Sequence, residues 1–151
     1  MSRVRRTELP DGYFHAYSRG AGPIPIFRDE DDYRLFRRML LLVSHRFTWR
    51  VLAYCLMPTH YHVVLEASTA NLSRGMHRLN GLYACAFNER HERTGALFQG
   101  RFHVRVIETD DHLERLGLYV PDNPVRAGYC DKREDWPWSW CSWEIEPTPA
   151  A

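Results

Sequence analysis

Ala53-Tyr-Cys-Leu-Met-Pro-Thr-His-Tyr-His-Val-Val-Leu65 sets two short apolar runs on either side of a proline-containing turn. The runs Val51–Leu56 and Val63–Leu65 have the length and continuity of buried strands, and Met57-Pro58-Thr59 carries the turn between them. On a strand, residues two apart point to the same face, so His60 and His62 project together while Tyr61 points the other way. Two imidazoles placed that way can close on one metal ion or one phosphate. The His-x-His spacing is weak evidence alone, because two polar residues at a strand start need no ligand. The rest of the chain has to decide.

Upstream, Gly12–Arg19 alternates Tyr13, His15 and Tyr17 against Phe14, Ala16 and Ser18, the period of a strand. Gly20-Ala-Gly-Pro-Ile-Pro25 is a loop by its glycine and proline content. Asp29–His45 opens on acidic residues and spaces Tyr33, Phe36, Met39, Leu40 and Val43 as a helix. Downstream of the histidines, Asn71–Arg93 carries Leu72, Met76, Leu79, Leu82, Tyr83, Ala86 and Phe87 on one side, a second long helix. Val104–Glu108 is a fourth strand, and Asp111–Tyr119 a further helix capped by Asp110 or Asp111. From Pro121 the chain is rich in Pro and Trp, with few regular signals. The order β-α-β-β-α-β followed by a helix predicts an α+β fold of the ferredoxin-like, split βαβ kind. That is an antiparallel sheet with helices on one face, in which the first and third strands are central and His60 and His62 sit mid-sheet. We expect a single domain over residues 1–151, with a basic arm at 1–11 and a Trp/Pro-rich tail at 129–151.

Composition narrows the class. A chain of 151 residues with 44% hydrophobic and 26% charged residues has enough apolar content for a core. Apolar stretches such as Met39–Val43 and Val51–Leu56 are too short to span a bilayer. No apolar segment follows the basic start Ser2-Arg-Val-Arg-Arg6, so no secretory signal and a cytoplasmic location are expected. Cys55, Cys85, Cys130 and Cys141 lack metal-ligand spacing, and Cys55 and Cys85 lie in apolar contexts, which predicts reduced, buried thiols. The net charge is only +1, yet Lys132 is the sole lysine beside nineteen arginines. Arginine's planar fork suits phosphate oxygens, although a GC-rich coding sequence explains the same excess. Arg3, Arg5 and Arg6 form the arm, while Arg34, Arg37, Arg38, Arg74, Arg78, Arg90 and Arg93 fall on the expected helices. A locally basic surface can bind DNA while acidic residues elsewhere cancel the net charge.

Tyr119 and Asn123 lie four residues apart in Gly117-Leu-Tyr-Val-Pro-Asp-Asn-Pro124. If the helix persists, both project from one face. A metal held by His60 and His62 takes an oxygen ligand well, and the Asn123 amide oxygen is a candidate. A metal-polarised phosphodiester beside Tyr119 would make that phenol a usable nucleophile. The plainer alternatives are a core-packed Tyr119 and a helix C-cap at Asn123. Pro121 removes a helical hydrogen bond to the Gly117 carbonyl, and Gly117 weakens the helix further, so the helix is expected to kink or end here.

Six segments together resemble the single-tyrosine HUH transposases (the insertion-sequence-200-like family), and their REP-associated branch in particular. They are Tyr17-Ser-Arg-Gly20, Tyr54-Cys-Leu-Met-Pro-Thr-His-Tyr-His-Val-Val-Leu65, Phe87-Asn-Glu-Arg-His91, Gly95-Ala-Leu-Phe-Gln-Gly-Arg-Phe102, Asn123-Pro-Val-Arg-Ala-Gly128 and Trp136-Pro-Trp-Ser139. They span nearly the whole chain in the family's order. The resemblance implies the fold reached above, His60, His62 and Asn123 as ligands of a divalent metal (Mg²⁺ or Mn²⁺), and Tyr119 as nucleophile. It implies cleavage of single-stranded DNA at or near hairpins, with the tyrosine joined to the 5′ phosphate and a 3′ hydroxyl released. Arg101 and Arg105 are weaker candidates for phosphate contacts, alongside Arg3, Arg5 and Arg6 of the arm; an ion pair with a surface acid is the alternative for Arg101. Trp136, Trp138, Trp140 and Trp143 either stack on unpaired bases or pack the tail onto the domain. Two rival functions remain: a replication initiator or relaxase with the same histidine pair, and a hairpin-binding protein that no longer cuts. Homodimer formation, and whether Tyr119 serves its own histidines or a partner's, stay open.

Overall fold

The computed structural model describes residues 11–142. Arg3, Arg5, Arg6 and Trp143 lie outside them. The element order is β1 (Gly12–Arg19), α1 (Glu30–Arg46), β2 (Arg50–Met57), β3 (His60–Ala67), α2 (Thr69–Arg90), β4 (His103–Ile107), α3 (Asp110–Tyr119), α4 (Asn123–Arg126) and β5 (Ser139–Cys141). The five strands form one antiparallel sheet in the order β4-β1-β3-β2-β5. The expected α+β, split βαβ sheet is therefore what forms, and β1 and β3 are inside it.

Alternation along the strands separates two faces. Phe14, Ala16, Tyr61, Val63 and Leu65 point to one side, where α1 and α2 cover them with Phe36, Leu40, Met76, Leu79, Tyr83 and Phe87. Cys55, Met57, Val64 and Ile107 point to the other, where Val120, Leu113 and Leu116 from α3 and its C-terminal end pack. A bulge in β2 between Val51 and Ala53 shifts its pairing with β3 by one residue and brings Ala53, Cys55 and Met57 onto this second face. His60 and His62 share that face, away from the long helices.

Helix α1 starts at Asp29, whose carboxylate accepts the Asp32 N–H. The buried Asp32 carboxylate accepts from the Arg28 N–H, bonds the His91 ring and pairs with Arg90, which ties the start of α1 to the end of α2. Helix α2 is crossed closely at Gly75 by the Trp49 ring, whose Nε1–H donates to the Asn71 carbonyl at 3.0 Å. A methyl group at Gly75 would overlap Trp49 Cζ2. Gly75→Ala should therefore lower the unfolding free energy by about 1–3 kcal/mol, measured by chemical denaturation; an unchanged midpoint would mean that the ring moves aside freely.

Several sequence expectations need correction. Thr109, not Asp110 or Asp111, caps α3: its hydroxyl accepts the His112 N–H at 3.1 Å, and both aspartates lie in the first turn. Cys85 is exposed rather than buried, because it falls between Tyr83 and Phe87 and points off their stripe; Cys55 is buried, Cys130 and Cys141 are half-buried, and none of the four is in a disulfide. The tail contains a short strand. Leu56 N–H donates to the Trp138 carbonyl at 2.8 Å and Trp136 Nε1–H to the Leu56 carbonyl at 3.0 Å, and Trp138 stacks on Tyr33. Trp136 and Trp138 thus pack the tail against the domain. Trp140 is more open and lies near Tyr54. Among the described residues no helix is long and apolar enough to cross a membrane.

Candidate active site

The turn at 58–59 ends β2 and lets β3 start at His60, so both imidazoles stand on one strand, with ring centroids 5.1 Å apart. Tyr61 between them is fully buried on the helix side. Its hydroxyl donates to Asn80 Oδ1, and Asn80 Nδ2 donates to Ser18 Oγ at 2.9 Å. That polar chain pins β3 to β1 and α2 directly behind the histidines.

Each histidine has one ring nitrogen engaged. His60 Nδ1 lies 3.2 Å from Thr59 Oγ1, and His62 Nδ1 lies 2.9 Å from His15 Nε2. Nε2 is thereby the nitrogen that each ring has available for a ligand. Burial holds the His62 imidazole far below its ordinary value, at about 3, with the charges of His15, His60 and Arg126 adding to the effect. Burial, then the charge of Arg19, lowers His60 as well. Neutral rings of this kind offer lone pairs without first losing a proton.

The histidines open on a cavity of about 640 Å³ lined also by Tyr17, Arg19, Gln99, Gly100, Arg101 and His103. The loop preceding β4 reaches it through backbone pairing. Ala21 N–H donates to the Leu97 carbonyl at 2.8 Å, and Gln99 N–H donates to the Arg19 carbonyl at 2.8 Å. Gly100 then turns with φ +65°, a left-handed conformation that suits glycine. Arg101, singled out from sequence, therefore stands beside His60 and His62. Arg105 lies on the same sheet face two residues beyond His103, outside the cavity lining but close enough to His15 to bear on its charge. Tyr17, Arg19, Gln99 and His15 were not picked out from sequence as site residues. By contrast, the helix arginines are largely engaged on the far layer: Arg34 with Glu30 and Asp31, Arg90 with Asp29 and Asp32, Arg37 over the Trp138 ring.

Tyr119 and Asn123 are joined differently from the expected single helix. Helix α3 ends at Tyr119, Val120 is its C-cap, and Asn123 begins α4. Pro121 has no N–H to continue the ladder, and the chain closes instead through Asp122 N–H to Tyr119 O and Asn123 N–H to Val120 O, both 3.2 Å. Asn123 is thus in a first helical turn, not a C-cap. Arg126 links the two residues. Its Nη2 donates to the Tyr119 carbonyl at 2.8 Å and to Asn123 Oδ1 at 2.7 Å, and its Cζ lies 3.5 Å from the Tyr119 ring centroid. Tyr119 is 54% exposed, so it is not a core aromatic. Neither residue lines the histidine cavity, although the charge of Arg126 reaches His62. Asn123 Nδ2 is buried without a hydrogen-bond partner. His60 and His62, each with Nε2 open to the cavity, suit a divalent cation, whereas the Asn123 Oδ1 is held by the Arg126 guanidinium and its orphaned amide nitrogen, a donor, cannot ligate.

A second group, Asp29, Asp32 and His91, also has metal-ligating spacing, with ligand atoms within 4.8 Å of one another. Its members come from the start of α1 and the end of α2, so no local spacing in the sequence marks it. Arg90 already supplies the cation there.

A family model described as "Transposase IS200 like" matches residues 23–123, more than half of the chain. A Haemophilus influenzae protein provisionally named a REP-associated tyrosine transposase is 25% identical over 69% of this chain; the chain spans 65% of that relative's length. Among solved structures, a REP-associated tyrosine transposase bound to a REP hairpin is similar with a TM-score of 0.71 at 20% identity, covering 92% of this chain and 82% of that one. A Deinococcus radiodurans protein described as a transposase gives a TM-score of 0.54 at 15% identity, covering 81% of this chain and 97% of the other. The structural likenesses bear on fold. With the family match across the histidine pair and up to Asn123, the chain belongs to the IS200-like transposase family, and within it resembles the REP-associated tyrosine transposases.

Proposed function

We propose that this protein is a metal-dependent endonuclease and strand transferase that cuts single-stranded DNA at or beside a hairpin through a covalent tyrosine intermediate. The observation that carries this reading is the pair His60 and His62, both neutral, each with one ring nitrogen tied, opening on a cavity edged by Arg19 and Arg101. A divalent ion held by His60 and His62, and by Asn123 once its Oδ1 leaves Arg126, would polarise the scissile phosphodiester and offset charge developing on it. Its nitrogen ligands favour Mn²⁺ over Mg²⁺. Tyr119 Oη attacks phosphorus, the P–O3′ bond breaks, and the 5′ phosphate becomes joined to the tyrosine. The phenol's proton is replaced on the departing 3′ oxygen by way of solvent, so a free 3′ hydroxyl results and no water is consumed. Reversal of the step by another 3′ hydroxyl exchanges strands. Tyr119, more than half exposed at the end of a short helix, has the access to DNA that this requires.

Incubation with a labelled hairpin oligonucleotide and Mn²⁺ tests the proposal: one cleavage position and a protein–DNA adduct are expected. Binding without cleavage would leave a hairpin-binding protein instead. Electrostatics give a separate check. Affinity for the hairpin should fall steeply with salt because phosphate contacts release counterions. Arg101→Ala should weaken binding and reduce the salt slope by about one contact. A slope unchanged by that substitution would remove Arg101 from the DNA-binding surface.

A further inference from the structure

The contact between His15 and His62 lies one layer behind the proposed metal ligands, and the chemistry described above does not use it. His15 stands on β1 opposite Val64, one same-face position along from the Tyr17–His62 pair. Its Nε2 is 2.9 Å from His62 Nδ1, and the ring centroids are 5.1 Å apart. Both rings are sheltered, His15 at 9% exposed and His62 half-buried, a setting that favours uncharged imidazoles. Two neutral imidazoles at this distance share one proton, and only two arrangements satisfy the bond. Either His15 Nε2–H donates to His62 Nδ1, or His62 Nδ1–H donates to His15 Nε2. The first puts the His62 proton on Nε2 and removes the lone pair offered to the cavity. The second leaves that lone pair free.

We propose that His15 is a positioning residue that accepts the Nδ1 proton of His62 and so holds His62 in the tautomer and ring orientation that bind a divalent metal through Nε2. This rests on the proposed role of His62 as a ligand. A partner behind a metal-bound histidine fixes its tautomer and raises its basicity, and losing one typically costs 10–100-fold in metal affinity. The partner is more often a carboxylate or a carbonyl. A neutral histidine does the same work here without bringing a negative charge into the sheet face.

Three variants of the full chain and two readouts test it. Long-range ¹H–¹⁵N correlation spectra of the metal-free protein should show His62 protonated at Nδ1. His15→Leu, which fills similar space without an acceptor, should shift His62 towards the Nε2–H form and weaken Mn²⁺ binding by about 10–100-fold. His15→Gln, whose amide oxygen can accept the same proton, should restore most of that affinity. A packing role alone would leave Leu at least as good as Gln, and that result would overturn the proposal. So would a His62 found as the Nε2–H tautomer in the unsubstituted protein. His60→Ala/His62→Ala separates the two levels of inference. Mn²⁺ binding that survives in that double variant overturns the metal site and this proposal with it. Binding lost there but unchanged in His15→Leu overturns the role of His15 alone.

Discussion

Tyr119→Phe is expected to fold, bind hairpin DNA as the parent does, and form no covalent adduct. The substitution removes one oxygen from a ring that is 54% exposed, so its cost in stability should lie within about 0.5 kcal/mol. The phenylalanine ring keeps the face over which the Arg126 guanidinium sits, and Arg126 bonds the residue-119 carbonyl rather than its hydroxyl. Loss of the adduct would therefore report the missing nucleophile and not a disturbed helix end. The competing tyrosines are unequal. Tyr61 and Tyr83 are fully buried, and Tyr33 is nearly so. Tyr13 sits beside Arg50, Tyr54 is sheltered against Trp140, and Tyr129 packs near Trp136. Tyr17 is the serious rival, because it lines the same cavity as His60 and His62 and stacks on His103 at 4.9 Å. Tyr17→Phe is the matched control. Adduct that survives in Tyr119→Phe and disappears in Tyr17→Phe would move the nucleophile to β1.

What could be read from the chain follows the range of the forces involved. His60 and His62 emerge from period-two alternation, a local property, and the run Val63–Leu65 is apolar enough to mark the strand that carries them. Pro121 likewise acts locally, and the helix ends where its missing N–H says it must. The four-residue spacing brought Tyr119 and Asn123 together in the reading, but only resemblance suggested roles for them, since nothing in the local spacing tells a helix aromatic from a nucleophile. Its geometry needed Arg126, a residue whose bonds to both cannot be read from a four-residue interval. His15 and Gln99 illustrate the harder limit. Placing His15 behind His62 requires the register of β1 on β3, and placing Gln99 beside them requires the pairing of 97–99 with 19–21. Both are set by contacts between segments tens of residues apart. The strand β5 was hidden because three residues carry too little alternation to register, and its seat beside β2 is accompanied by the stacking of Trp138 on Tyr33, a contact no local pattern announces.

Replacing both His60 and His62 by alanine should abolish cleavage and leave hairpin binding largely intact. Lewis-acid stabilisation of a phosphoryl transition state contributes several kcal/mol, so a loss of at least about a thousandfold in rate is expected. The fold should tolerate the change. Both imidazoles face the cavity rather than the helix layer, while the Ser18–Asn80–Tyr61 chain that pins β3 is untouched. Burying two neutral rings that lack a full set of partners is costly, so the double variant need not be less stable than the parent. DNA affinity should depend on Arg101 and its neighbours more than on the histidines, because uncharged imidazoles contribute no counterion release. A chelator should reproduce the cleavage defect in the parent protein and add nothing in the variant. That equivalence ties the histidines to the metal. Full cleavage by the double variant in the presence of chelator would mean that the reaction proceeds without this site. Cleavage restored in the variant by excess Mn²⁺ would mean that the catalytic metal is held without the two imidazoles.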